Sequence, residues 1–193
     1  MIRALGAAAF LAAAVLAAAA PGARASAADY TADPNHSRLE FTGVQAGAPF
    51  KGVFRKFTAL IVFAPDALAT AHFDVQIEVN SLDSMDKDRD TTMRSADIFD
   101  VAHFPTARYV TRSFTRTPAG YTATGALTLR GVTRDVPIDF KFEAAPGGAT
   151  LVGAAKLKRL DFGVGQGDWK STEWVGDAVN VAFSLALNAK PAP

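Results

Sequence analysis

The chain has 193 residues, 49% of them hydrophobic, with 20 basic and 19 acidic side chains for a formal charge of +1, and no cysteine. So even a balance offers nothing to hold nucleic acid or an anionic membrane surface. The missing thiols exclude disulfides, thiol catalysis, zinc–thiolate sites and lipidation on cysteine.

Arg3 gives a short positive start, and Ala4 to Ala20 form an uncharged apolar run. Ala23-Arg24-Ala25, or alternatively Ala25-Ser26-Ala27, offers a small-x-small cleavage pattern. A membrane anchor is the competing reading. The run is rich in alanine, weakly apolar and short of the roughly 20 residues that a span requires. Residues 1–25 are therefore read as a cleaved signal peptide, and residues 26–193 as one domain. Without Arg3 and Arg24 the mature chain carries 18 basic and 19 acidic residues, a formal charge of −1. Its 168 residues suffice for one sizeable core.

Tyr30 to Asp33 opens as a short strand, ended by Pro34-Asn35. His36 to Val44 follows with Leu39 and Phe41 on one face, and Gln45 to Pro49 reads as a turn. Phe50 to Phe63 has a mixed apolar phase. Val53, Phe57, Ile61 and Phe63 share one parity; Phe54, Leu60 and Val62 share the other. A bulge or corner near Arg55 to Ala59 accounts for the change. His72 to Asn80 alternates polar and apolar residues without a fault, as a half-buried strand does.

Ser81 to Phe99 breaks that rhythm. Ser84 followed by Asp86 and Asp88 suits a helix start, and Met85, Met93 and Ile98 recur at loose helical intervals. A short helical insertion is predicted near residues 84–98. Strands then resume over Ala107 to Thr117, Tyr121 to Arg130, Val132 to Glu143, Thr150 to Leu160 and Asp177 to Asn188. A Gly-rich loop, Asp161 to Glu173, precedes the last of them. About eight or nine strands joined by short turns imply antiparallel neighbours. Long strands, up-and-down order and many inward Phe residues favour a closed all-β barrel over a sandwich.

Candidate chemical sites are few. His36, His72 and His103 are the only histidines and lie far apart, without ligand spacing. His36 and His103 read as strand-end residues that bond backbone, and no metal is expected. Asp86, Asp88, Asp90, Asp97 and Asp100 fail the calcium-loop pattern, because Thr91 stands where Gly is needed and Asp97 where Glu is needed. With Lys87, Arg89 and Arg94 interleaved, they read as a solvated helix with local ion pairs. Gly163-Val164-Gly165-Gln166-Gly167 precedes a strand rather than a helix, so a flexible barrel-mouth loop fits better than a phosphate loop. No nucleophile elbow or Ser/His/Asp arrangement is visible. The chain is read as a non-enzyme. The remaining signal is phenylalanine, 14 residues of it. A solid core and a greasy cavity are both compatible with that count. Small residues at inward Gly125, Gly153 and Ala155 favour the cavity.

Several segments also point to a family. Asp33-Pro34-Asn35-His36-Ser37, Gly52-x-Phe54, His103-Phe104-Pro105-x-Ala107, Leu127-Thr128-Leu129-Arg130-Gly131-Val132-Thr133, Asp161-Phe162-Gly163-Val164-Gly165 and Val175-Gly176-Asp177 occur in order along the mature chain. In this the sequence resembles the YceI-like proteins. The resemblance implies a periplasmic, lipocalin-like antiparallel β-barrel with an apolar channel that holds a polyisoprenoid chain, such as a polyprenyl phosphate or a quinone tail, and it implies no catalysis. The stretch from Gly43 to Gly52 resembles the branch associated with membrane cytochrome b561 proteins, which raises a redox partner.

The expected ligand-binding residues are inward Phe41, Phe73, Ile77, Leu127, Leu129, Ile138, Phe140, Val181 and Phe183, with Phe99, Phe104 and Tyr109 flanking the mouth or cap. Arg94, Arg108 or Lys170 would meet a phosphate head group. The expected role is carrier or store of an isoprenoid lipid or quinone, with no required cofactor. The alternative is an accessory of a cytochrome b561-type protein. An exposed edge on an incompletely closed barrel would support a homodimer.

Overall fold

The computed structural model describes residues 28–190. The expected signal peptide lies outside the described residues. In chain order the elements are β1 (Ala28–Ala32), β2 (Arg38–Gln45), β3 (Ala48–Phe54), β4 (Phe57–Phe63), β5 (His72–Glu78), β6 (Leu82–Asp83), α1 (Lys87–Arg94), β7 (Thr106–Thr117), β8 (Gly120–Leu129), β9 (Val132–Ala145), β10 (Gly148–Lys158) and β11 (Ala178–Ala189).

One antiparallel sheet contains every strand. The pairing of β1 with both β4 and β11 closes the ring β1-β4-β5-β7-β8-β9-β10-β11, an eight-stranded barrel. Both β1 and β2 lie along the same flank of β11: Ala32 is opposite Leu187, and Arg38 to Thr42 run opposite Ser184 to Asn180. Similarly, β3 runs on into β4. The barrel is therefore an up-and-down meander in which two of the long strands are bent, and β6 pairs on β3 at the bend.

The bend between β3 and β4 is the corner that the mixed phase of Phe50 to Phe63 implies. It falls at Arg55-Lys56, and the inward parity changes there: Phe50 and Phe54 face the interior before it, Phe57 and Ile61 after it. Arg55 Nε donates to Asp83 at 2.8 Å, and Lys56 N donates to Ser81 Oγ at 3.0 Å, which hold the corner against β6.

One hairpin is tighter than its sequence suggests. The expected turn from Gln45 to Pro49 shrinks to Ala46-Gly47, because pairing continues to Gln45 opposite Ala48. Its central residues have φ of 51° and 75°, and those of the Arg130-Gly131 turn 48° and 74°. Such two-residue loops with both φ positive match the right-handed twist of the flanking strands.

The helical insertion is shorter than predicted. Asp86, not Ser84, caps α1, accepting from Asp88 N at 3.1 Å and Arg89 N at 3.0 Å. Ser84 instead donates its hydroxyl to Asp90 at 2.7 Å and its backbone N–H at 2.8 Å. Asp90 is thus buried as an anchor rather than solvated. After Arg94 the chain turns, and Phe99 N reaches back to Met93 O at 3.0 Å.

The two ends of the barrel are filled differently. At the end formed by β1, the C-terminal part of β4 and the starts of β5 and β8, aromatic rings fill the interior. Phe63 is fully buried and meets Phe73, Phe114, Tyr121, Phe140 and Phe142 at centroid distances of 4.8 to 6.0 Å. Most of these pairs are edge-on or tilted, the geometry that ring quadrupoles favour. The other end is hollow.

The acid side of the stability curve follows from four aspartates. Side-chain bonding from Arg108 holds Asp74 below the ordinary 3.8, bonding from His36 does so for Asp33, and backbone N–H groups do so for Asp83 and Asp86. Each depressed group stabilises the fold above its unfolded value, and that contribution is lost as pH falls through the folded value. Thermal melts are expected to show a midpoint that drops only below about pH 4. A midpoint falling steadily from neutral pH downward would contradict this.

Candidate ligand-binding site

The hollow end encloses a cavity of about 480 Å³. Alternation places inward apolar residues from most of the strands in its wall. Phe41 comes from β2, Phe54 from β3, Phe57 and Ile61 from β4, Phe73 and Ile77 from β5, Leu127 and Leu129 from β8, Val136 and Ile138 from β9, Ala155 and Leu157 from β10, and Val181 and Phe183 from β11. Met93 of α1 and Ile98 and Phe99 beyond it close one side. Phe162, Val164 and Trp169, from the loop after β10, close another.

Phe73 belongs to both halves. It lines the cavity, and its ring lies 4.8 Å from Phe114 and 5.2 Å from Phe140. It is therefore the floor on which the hollow meets the aromatic plug.

Most of the sequence-predicted residues converge here: Phe41, Phe73, Ile77, Phe99, Tyr109, Leu127, Leu129, Ile138, Val181 and Phe183 all line the cavity. Two do not. Phe140 is inward but sits in the plug, stacked on Tyr121 at 5.4 Å. Phe104 is half-buried outside the cavity, where a Cβ at Gly131 would meet its ring. Tyr109 is not at the mouth. It lies inside the barrel, where its hydroxyl donates to Val136 O at 2.9 Å, and burial pushes its phenol above the ordinary 10.0.

The small residues act differently from expectation. A Cβ at Gly125 would stand 2.7 Å from the Tyr109 ring, and one at Gly153 would stand 2.8 Å from Phe140 Cβ. Those glycines are already occupied by aromatic neighbours. Only Ala155 of the three borders open space.

The polar groups of the mouth come from the turn region and α1: Gln45, Asp86, Asp88, Arg89 and Thr92. Arg89 Nε donates to Gln45 Oε1 at 3.0 Å, its Nη2 lies 3.4 Å from Asp86, and its guanidinium covers the Phe50 ring at 4.6 Å. None of the three cations expected to meet a head group reaches the cavity lining. Arg94 bonds to the carbonyls of Asn80 and Leu82, Arg108 is forked onto Asp74, and Lys170 is exposed. In sequence Arg89 alternates with acidic residues and reads as part of a solvated helix, which conceals its place at the mouth.

The Gly-rich loop is pinned rather than flexible. Arg159 is buried and spends its guanidinium on five carbonyls: Nε on Gly176, Nη1 on Val164 and Trp169, and Nη2 on Ser171 and Val175, at 2.7 to 3.0 Å. All five donors of the fork are used, with no carboxylate among their acceptors. Gly165 and Gln166 also donate backbone N–H to Asp97 O at 3.1 and 2.7 Å, tying the loop to the segment after α1.

The histidines lie apart from the site. His36 and His103 are exposed and pair with carboxylates, Asp33 at 3.0 Å and Asp100 at 2.8 Å, rather than with backbone. His72 faces outward on β5. Among the described residues no three metal-binding side chains converge.

Known proteins share this architecture. The YceI-like domain family model matches residues 30–187. A UPF0312 protein of Vibrio vulnificus is 32% identical over 150 residues, covering 72% of this chain and 79% of its own. The crystal structure of Burkholderia cenocepacia BcnA aligns with a TM-score of 0.76 at 30% identity, over 80% of this chain and 98% of BcnA. A polyisoprenoid-binding domain from Saccharophagus degradans shares the fold with a TM-score of 0.65 at 16% identity, over 85% and 99% of the two chains. A bent eight-stranded meander that is plugged at one end and hollow at the other, with the family pattern running from β1 to β11, makes this chain a member of the YceI-like domain family.

Proposed function

We propose that the protein is an exported lipid-binding protein that holds an isoprenoid chain in the hollow half of its barrel, as carrier or store in the periplasm. The observation that carries the reading is the cavity wall. Aromatic and branched aliphatic side chains surround about 480 Å³, and polar side chains gather at one end. A long apolar tail fits such a wall; a sugar or peptide would leave its polar groups unpaired there. The Saccharophagus degradans domain that shares the fold is a polyisoprenoid-binding one, which agrees with this choice of ligand. Export rests on the apolar run from Ala4 to Ala20 and the cleavage pattern after it. The reading assigns no catalysis.

Affinity would then come from apolar burial, at about 25 cal/mol per Å² before ordering costs. Each added prenyl unit buries five more carbons and should tighten binding by about 2–3 kcal/mol after ordering costs, on the order of a hundredfold, until the tail meets Phe73. Beyond that depth the gain should stop. Titrating prenyl alcohols of increasing length against the fluorescence of Trp169 and its neighbour Trp174 tests this. Phe73→Leu, which shortens the floor residue, should move the plateau to longer tails. Affinity that does not depend on tail length would contradict the proposal, and an unmoved plateau in Phe73→Leu would remove Phe73 as the floor.

A further inference from the structure

We infer that the cavity selects isoprenoids with an uncharged head group, such as an alcohol or a quinone, over those ending in a phosphate. This inference rests on the isoprenoid reading above and decides between ligands that the reading leaves together.

Every charged group that lines the cavity is accounted for: Asp86, Asp88, Arg89 and Arg159. Arg159 gives all of its donors to the five carbonyls described above, so a phosphate could use it only by displacing a carbonyl and loosening residues 163–176. The carbonyl oxygens that surround it also present their own negative ends.

Arg89 is engaged on each nitrogen. Nε donates to Gln45, Nη1 points to the backbone and side-chain oxygens of Ser84 at 3.4 and 3.5 Å, and Nη2 faces Asp86. The Phe50 ring covers its face. An incoming phosphate would compete with an existing carboxylate for this one cation, and Asp88 adds a second like charge at the same mouth. Two fixed negative charges beside one satisfied cation repel an anion, less so in salt. Arg130, whose Nε is buried without a partner, bonds to Ala96 O and is not part of the lining.

An uncharged head meets a better match. Gln45, with an amide oxygen and an amide nitrogen, and Thr92, with a hydroxyl, both line the mouth. They can give and accept single hydrogen bonds without a charge to neutralise.

The test compares geranylgeraniol with geranylgeranyl monophosphate, two probes with the same tail, by quenching of tryptophan fluorescence in the purified protein at fixed ionic strength. The alcohol is expected to bind at least about tenfold more tightly. Asp86→Asn with Asp88→Asn should narrow that gap by tightening the phosphate, and asparagine keeps the helix cap. If the phosphate binds as tightly as the alcohol, or if the double variant leaves the gap unchanged, the inference is overturned and the isoprenoid reading stands. If neither probe binds, both fall.

Discussion

Ala155→Phe is expected to abolish isoprenoid uptake while the barrel stays folded. Ala155 sits on β10 opposite Val181 of β11, and both line the cavity. A benzyl group there projects into open space, so it fills a void rather than overpacking a core. It takes the volume and the wall contacts that a tail would use. Losing the burial of about three carbons costs a ligand about 2–3 kcal/mol, on the order of a hundredfold in affinity. The neighbouring residue supplies the control. Ala154 faces solvent, and a one-residue step along a strand reverses the face, so Ala154→Phe should bind as the parent does. Uptake undiminished in a folded Ala155→Phe protein would place the ligand somewhere other than the hollow half.

Arg159→Leu is expected to remove about 3–5 kcal/mol of stability. Leucine fills part of the volume but leaves five carbonyls without their donor, the Val164 carbonyl buried and the other four partly buried. Burial draws the Arg159 guanidinium below its ordinary 12.5 while Asp177 pulls it upward, and it remains charged in the fold. Arg159→Lys should rescue little, because an ammonium has three donors at one point where the fork has five spread over a plane. Urea melts give the stability, and hydrogen exchange over residues 163–176 gives its location. A loss below about 1 kcal/mol, or exchange that rises uniformly around the barrel, would contradict the hub role. Since Val164 and Trp169 line the cavity, the same variant should also weaken ligand binding.

How far the sequence speaks depends on which physical rule each feature obeys. Period-two alternation identified the inward face of nearly every strand, because one buried side is all that a barrel strand needs. The mixed phase of Phe50 to Phe63 placed a corner near Arg55 to Ala59 for the same reason, and it falls at Arg55-Lys56. Alternation cannot say how far along the barrel axis a residue lies. Phe140 and Ile138 therefore look alike in sequence, yet one is in the plug and the other in the cavity wall. Glycine is ambiguous in the same way: Gly125 and Gly153 mark places where aromatic rings approach backbone, not places left open. The polar mouth was hidden for another reason. Which cation reaches the cavity depends on tertiary placement, so the sequence favours Arg94, Arg108 and Lys170 over Arg89, although only Arg89 of the four lines the wall. The loop pinned by Arg159 was hidden too, since a lone arginine at the end of a strand does not announce five carbonyls.

The central claim is that the hollow half holds an isoprenoid, and organic extraction of protein purified from its native host, followed by mass spectrometry, tests it most directly. The account predicts one isoprenoid species near equimolar with the parent protein, and none with Ala155→Phe. An empty extract from folded parent protein, or an equal yield from both proteins, would contradict it, and the former would turn attention to docking on a membrane cytochrome.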